Sequence, residues 1–67
     1  MFSVVVFGVA GDEVTLPVAF AENVEARFFA RAAMHGINVK KTLVLKNGNK
    51  WEGYQYDEDG RIEPLIF

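Results

Sequence analysis

The chain has 67 residues, 51% of them hydrophobic, with no cysteine, a single histidine and a formal net charge of −2 at pH 7. This length allows one domain over residues 1–67. The lack of cysteine excludes a disulfide framework, and together with the single histidine it excludes a zinc site built from several Cys or His ligands. We therefore expect a protein without a cofactor, stabilised by close packing or by self-association. The absence of cysteine fits the reducing cytoplasm.

The start of the chain predicts a central strand. Phe2 to Val9 is rich in β-branched and aromatic residues and is apolar on both faces, which is typical of a strand in the middle of a covered sheet. The apolar stretch Met1 to Ala10 has no basic segment before it and is too short to span a bilayer, so we expect no membrane partner.

A second strand is predicted from Val14 to Phe20, after a turn at Ala10 to Glu13. Pro17 lacks an amide donor, which favours the edge of the sheet for this strand. Alternation predicts which of its side chains point inward. These are Val14, Leu16, Val18 and Phe20.

Ala21 to Gly36 predicts the one helix, with Glu22 or Asn23 as its cap and Gly36 as its end. At about 100° per residue, one arc of this helix is apolar and is expected to face the core. That arc comprises Ala26, Phe29, Ala30, Ala33 and Ile37. The opposite face carries Arg27, Arg31 and His35, with Phe28 between the two.

The rest of the chain predicts three strands and two tight turns. The strands are Ile37 to Lys46, Lys50 to Tyr56 and Arg61 to Phe67, and the turns are Asn47-Gly48 and Asp57 to Gly60. Asn-Gly favours a type I′ hairpin turn, and Lys40-Lys41 favours a β-bulge. The order ββαβββ predicts an α+β fold, a four- to five-stranded antiparallel sheet with one helix packed on a face.

One helix covers one face of such a sheet. The apolar residues predicted for the other face, Val5, Phe7, Val9 and Trp51, then need another layer. A homodimer formed through the sheet face or a sheet edge would supply that layer.

Charge is segregated along the chain. Six of the seven basic residues lie in a window that contains no Asp or Glu, between two acidic segments. They are Arg27, Arg31, Lys40, Lys41, Lys46 and Lys50. Segregated charge produces a local field that steers an oppositely charged partner even when the net charge is small.

Catalysis is not predicted. The chain has no Cys, Ser3 is its one serine, and His35 has no nearby acid in the sequence to orient it, so no catalytic residue is assigned. The acidic stretch from Asp57 to Asp59 with Gly60 predicts a solvated turn, since the other ligands of a calcium loop are missing, and no metal site is assigned.

Part of the sequence resembles small phage-encoded inhibitor proteins. The stretch from Glu13 to Ala26, followed by Gly36-Ile37-Asn38-Val39, is similar to the small bacteriophage inhibitors of bacterial RNA polymerase, and small anti-CRISPR proteins show a similar order of elements. The resemblance implies a binding module. In the polymerase inhibitors, arginines on the strand after the helix contact the host enzyme; Lys41 matches one of these positions and Leu43 occupies the other.

We therefore expect a non-enzymatic binding module, an inhibitor or adaptor, that docks on an acidic surface of a host or cellular protein. Its predicted contact residues are Arg27, Phe28, Arg31, His35, Lys40 and Lys41. The alternative is nucleic-acid binding, with tyrosines stacking on bases. Its predicted contact residues are Arg27, Arg31, Lys46, Lys50, Trp51, Tyr54 and Tyr56. A third interpretation is a structural subunit of a homo-oligomer.

Overall fold

Five strands form one antiparallel sheet in the computed structural model, which describes residues 1–67. The elements are β1 (Phe2–Gly8), β2 (Glu13–Thr15), α1 (Asn23–Ala33), β3 (Val39–Lys46), β4 (Asn49–Tyr56) and β5 (Ile62–Ile66). Across the sheet the order is β2-β1-β3-β4-β5. The predicted α+β class and the order ββαβββ are confirmed.

β1 lies inside the sheet, between β2 and β3, as its two apolar faces predict. Val4 is fully buried beneath α1, with Phe2 and Val6 packed against the same cluster. The next residue, Val5, points to the opposite face and is also buried, although no helix covers it. Neighbouring side chains on that face therefore shield the centre of the sheet.

The core lies between α1 and the sheet. Its buried apolar cluster comprises Val4, Phe20, Ala26, Ala30, Met34, Val44 and Tyr54. Ala26, Ala30 and Met34 follow one another at four-residue spacing on the inner face of the helix, and the two alanines let the backbone of α1 approach the strands closely. Thr42 is the polar residue in this interior, and its hydroxyl donates to the backbone oxygen of Ala30 at 2.9 Å.

The predicted inner face of the helix is partly wrong. Ala26 and Ala30 are buried as expected, but Phe29 is half exposed and Ile37 is 92% exposed. Because α1 ends at Ala33, helical periodicity does not extend to Ile37. Met34, which the periodicity did not single out, fills the core at the end of the helix.

The predicted second strand is shorter than its alternating pattern suggests. β2 ends at Thr15, and Phe20 returns to the sheet through a separate bridge to Phe2. Leu16 packs against the core and Phe20 is buried, but Val14 and Val18 are more than half exposed. Their predicted burial is wrong for two reasons. Val14 shares the face of its partner Val6 but lies on the edge strand, and Val18 lies in the irregular segment after β2, which does not keep a two-residue period.

Local backbone signals in β3 and its hairpin are confirmed. Asn47 and Gly48 have φ angles of 50° and 86°, as a type I′ turn requires. The ladder pairs Phe7 with Lys41 but Gly8 with Val39, which leaves Lys40 as the extra residue of a bulge. A second bulge, not predicted, leaves Trp51 unmatched in β4.

Each edge of the sheet carries a proline. On the β5 side, Asp57 donates its N–H to the backbone oxygen of Arg61, so these two residues form a hydrogen-bonded pair that extends the β4–β5 ladder. Hydrogen-bonded and non-hydrogen-bonded pairs alternate along an antiparallel ladder, so the backbone groups of every second residue of β5 point away from β4. The outward positions of β5 are Ile62, Pro64 and Ile66. Pro64 lacks an N–H, and Pro17 follows β2 on the other edge. Both edges are therefore poor templates for pairing with a second chain.

Candidate functional site

The outer face of α1 presents a large apolar side chain to solvent. Phe28 is 68% exposed and packs edge-on against Phe29, with ring centroids 5.7 Å apart. Phe28, Arg31, Ala32 and His35 line a shallow cleft along the helix. Spacings of three and four residues place these four side chains on one face, opposite the buried Ala26 and Ala30.

Arg27 is held by an ion pair. Its Nε donates to Glu52 Oε1 at 3.0 Å, and the Glu52 side chain is mostly buried. With its amide nitrogen facing Glu52 Oε1 at 2.9 Å, Asn23 also accepts from Arg27 Nη2 at 2.9 Å. The hydrogen bond and charge of Glu52 raise the pKa of Arg27. Arg27 and Asn23 therefore tie the first two turns of α1 to β4, and the charge of Arg27 is largely compensated.

Arg31 lies further along the same side of the helix and makes no ion pair within 4.0 Å. Its guanidinium carbon is 6.0 Å from the centre of the Tyr54 ring, at the limit of a cation–π contact. Of the two helix arginines, Arg31 has the charge that remains available to a partner.

The basic residues of the window lie on both sides of the sheet. Thr42 points toward α1, so its neighbour Lys41 points to the other side, where its ammonium lies 4.8 Å from the centre of the Phe7 ring. The partner-contact set predicted from the sequence, with Lys41 beside Arg31, therefore does not form one surface. Lys40 is exposed at the bulge next to Lys41.

The remaining two lysines lie at the hairpin end of the sheet. Lys46 Nζ is 4.6 Å from the centre of the Trp51 ring, and Lys50 Nζ is 5.6 Å from that of Phe67. Sequence reasoning grouped Lys46, Lys50 and Trp51 for nucleic acid but missed Phe67. Only the pairing of β4 with β5 reveals that contact.

The tyrosines predicted to stack on bases have other contacts. Tyr54 belongs to the core and is 8% exposed, so its ring has no free face for a base. Tyr56 is partly exposed, and its hydroxyl donates to the backbone oxygen of Met34 at the end of α1. Both residues attach the helix to β4, and the placement of Tyr54 contradicts a stacking role.

Burial of Tyr54 has a consequence at alkaline pH. Burial raises the pKa of Tyr54 above its ordinary value of about 10, and the charge of Glu52 acts in the same direction. The Tyr54 hydroxyl therefore ionises at a lower pH in the unfolded chain than in the folded protein. Its contribution to the free energy of unfolding is complete below about pH 10 and declines as the pH rises toward the pKa of the folded state.

We expect Tyr54→Phe to flatten the fall in unfolding free energy between about pH 9 and pH 11, measured by urea denaturation at several pH values. Equal slopes for the native protein and Tyr54→Phe would contradict the assignment.

A second hollow lies at the opposite end of the sheet from the hairpin. Its exposed apolar rim consists of Val9, Val14 and Ile37, with Asp12 beside the turn that follows β1. Asn38 adopts a left-handed φ of 60° in the loop that leads from the helix to β3. This hollow has an apolar lining and one carboxylate, without a basic group or a nucleophile.

Comparison with protein-family models, with curated proteins and with solved structures gives no match. No group of three or more His, Cys, Asp or Glu side chains is arranged to hold a metal ion. No helix is both long and apolar enough to cross a membrane. The chemistry of the surface is therefore the basis for assigning a function.

Proposed function

We propose that this protein is a non-enzymatic binding module of the cytoplasm that docks on an acidic surface of another protein through the outer face of α1. In this proposal Phe28 enters an apolar hollow of the partner, and Arg31 and His35 face its carboxylates. The docking face is defined as Phe28, Arg31, Ala32 and His35. An inhibitor or adaptor of the phage-encoded kind would act in this way, by occupying a surface rather than by catalysis.

The exposure of Phe28 is the observation that carries the proposal. A phenylalanine that is 68% exposed in the middle of a helix contributes little to the fold, while burial against a partner removes a large apolar area from water. Val24, one turn earlier, is also mostly exposed and extends the apolar row. An aromatic side chain with a neighbouring arginine is a typical hot spot of a protein interface.

Charge supports an acidic partner over a neutral one. Arg31 and His35 stand one turn apart on the docking face, and no ion pair holds either side chain. The like-charged partner of Arg31 on the helix, Arg27, is compensated by Glu52, so repulsion along the helix is reduced. Carboxylates on the partner would therefore meet a cationic side chain without first breaking an internal salt bridge.

Other interpretations receive less support. Pro17 and Pro64 weaken both sheet edges as templates for a homodimer, and Val5 on the uncovered face is already buried within one chain. Binding of nucleic acid across the whole basic window is disfavoured because Tyr54 is buried and Arg27 is paired with Glu52. The docking face on α1 depends on neither of these two residues.

The test is partner capture by the double variant Phe28→Ala/Arg31→Glu. We expect the immobilised native protein to retain a specific protein from nuclease-treated bacterial lysate, and the double variant to lose it, with at least about a 30-fold weaker affinity for the purified partner. Far-ultraviolet circular dichroism should be the same for both proteins.

Lys41→Glu is the matched control, because it reverses one charge on the opposite side of the sheet. It should retain the partner. Capture that survives in the double variant, or that Lys41→Glu abolishes equally, would refute docking through α1.

A further inference from the structure

A basic and aromatic cluster lies at the hairpin end of the sheet, apart from the docking face on α1. Three strand ends bring it together: Lys46 closes β3, Lys50 and Trp51 open β4, and Phe67 follows β5. The β4–β5 ladder ends at the pair Glu52 and Ile66, so Trp51 and Phe67 follow it at the same end of the sheet. Strand alternation places Lys46 on the side of α1, while Lys50, paired with Leu45, lies on the opposite side. We call Lys46, Lys50, Trp51 and Phe67 the hairpin cluster.

The rings of the hairpin cluster are accessible. Trp51 is 43% exposed and Phe67 is 60% exposed. Each has a lysine ammonium above it, at 4.6 Å for Lys46 over Trp51 and 5.6 Å for Lys50 over Phe67. Two large rings of this exposure at one end of a small sheet bury too little of their area to be explained by core packing.

The charges of the hairpin cluster are uncompensated. Neither lysine has a carboxylate within 4.0 Å, since the one salt bridge of the chain joins Arg27 to Glu52. The acidic turn from Asp57 to Asp59 lies at the far end of β4, about 25 Å away for a strand of eight residues. Glu22 and Glu25, near the start of α1, do not pair with either lysine.

We propose that the hairpin cluster binds single-stranded nucleic acid. The ligand that matches two ammonium groups beside two accessible rings is a polyanion that carries planar apolar groups. A flexible single strand that crosses the end of the sheet from one side to the other would stack its exposed bases on Trp51 and Phe67, and its phosphates would pair with Lys46 and Lys50. A duplex hides its bases within the stack and would use only the charges, so single strands are preferred.

Trp51 is the one tryptophan of the chain, and its emission reports on this site directly. We expect an oligothymidylate of about eight nucleotides to quench Trp51 fluorescence in the purified protein at low salt. With two lysine–phosphate pairs, the logarithm of the binding constant should fall against the logarithm of salt concentration with a slope of about −1.4.

Lys46→Gln should reduce that slope to about −0.7, and Phe67→Ala should weaken binding at least about fivefold. The matched control is Lys40→Gln/Lys41→Gln, which removes two charges at the other end of β3 and should leave the slope near −1.4. Phe28→Ala/Arg31→Glu should also bind as the native protein does, so loss of the docking function and loss of this site are distinguishable.

Several results would overturn the proposal. One is unchanged Trp51 emission at low salt, and another is equal weakening by the Lys40/Lys41 control. A third is a blue shift with vesicles of anionic phospholipid without any response to the oligonucleotide, which would assign the hairpin cluster to a lipid surface instead.

Discussion

Met34→Ala is expected to lower the free energy of unfolding by about 2–5 kcal/mol, the usual cost of truncating a fully buried methionine. Met34 has no exposed surface and occupies the core where α1 ends, between the helix and the central strands. A domain of this size has a total stability near the lower end of the usual 5–15 kcal/mol, so the variant should be close to unfolding at 37 °C.

Urea denaturation at 25 °C measures this loss, and Phe28→Ala is the control on the same helix. Phe28 is the larger side chain, but because it is 68% exposed its removal should change the unfolding free energy by about 0.5 kcal/mol or less. A similar loss in both variants would mean that Phe28 supports the fold and would weaken its assignment to the docking face.

The contrast between these residues shows what helical periodicity predicts. Repetition at three and four residues identified the buried Ala26 and Ala30 and the exposed Arg31, because those positions lie inside the helix, and it held as far as His35, just after the cap at Met34. It failed for Ile37, because the position of the helix end is not encoded in periodicity. Met34 then fills the core in its place.

The hairpin turn and the bulge at Lys40 were predicted correctly because their signals are local, whereas the bulge at Trp51 was not predicted. Asn47-Gly48 needs two positive φ angles, and this residue pair accepts them at small cost. The alternating pattern of Val14 to Phe20 is equally local but misled, since an edge segment is not required to bury both ends of its apolar face. Pro17 correctly indicated the edge position of this strand, but not that the strand ends at Thr15.

The candidate surfaces depend on contacts that a linear sequence does not reveal. Arg27 and Glu52 are far apart in the chain, and their ion pair changes Arg27 from an expected docking residue into a structural one. In the same way, strand alternation separates Lys41 from the helix, although both belong to one basic window. Segregated charge along the chain thus predicted that basic surfaces exist, and the fold divided them.

Gly53→Ala is the second substitution with a large expected effect. Gly53 is buried at the centre of the uncovered sheet face, and a methyl group there would overlap the backbone oxygen of Thr42 and come within 2.9 Å of Leu43 Cδ2. Leu43 could rotate away, but the oxygen of Thr42 belongs to β3 and moves only with the strand. We therefore expect a loss of about 1–3 kcal/mol in the free energy of unfolding.

Gly48→Ala separates this steric effect from the conformational cost of replacing a glycine. Gly48 has a φ of 86° and open space where its Cβ would lie, so its variant should lose about 1–2 kcal/mol through backbone strain alone, without a shift of the strands. Amide chemical shifts of Thr42 and Leu43 distinguish the two, because only Gly53→Ala should displace β3 from β4. A Gly53→Ala protein with native stability and native shifts would show that the face has room for a methyl group. Its central apolar residues would then be less tightly packed than the burial of Val5 and Leu43 indicates.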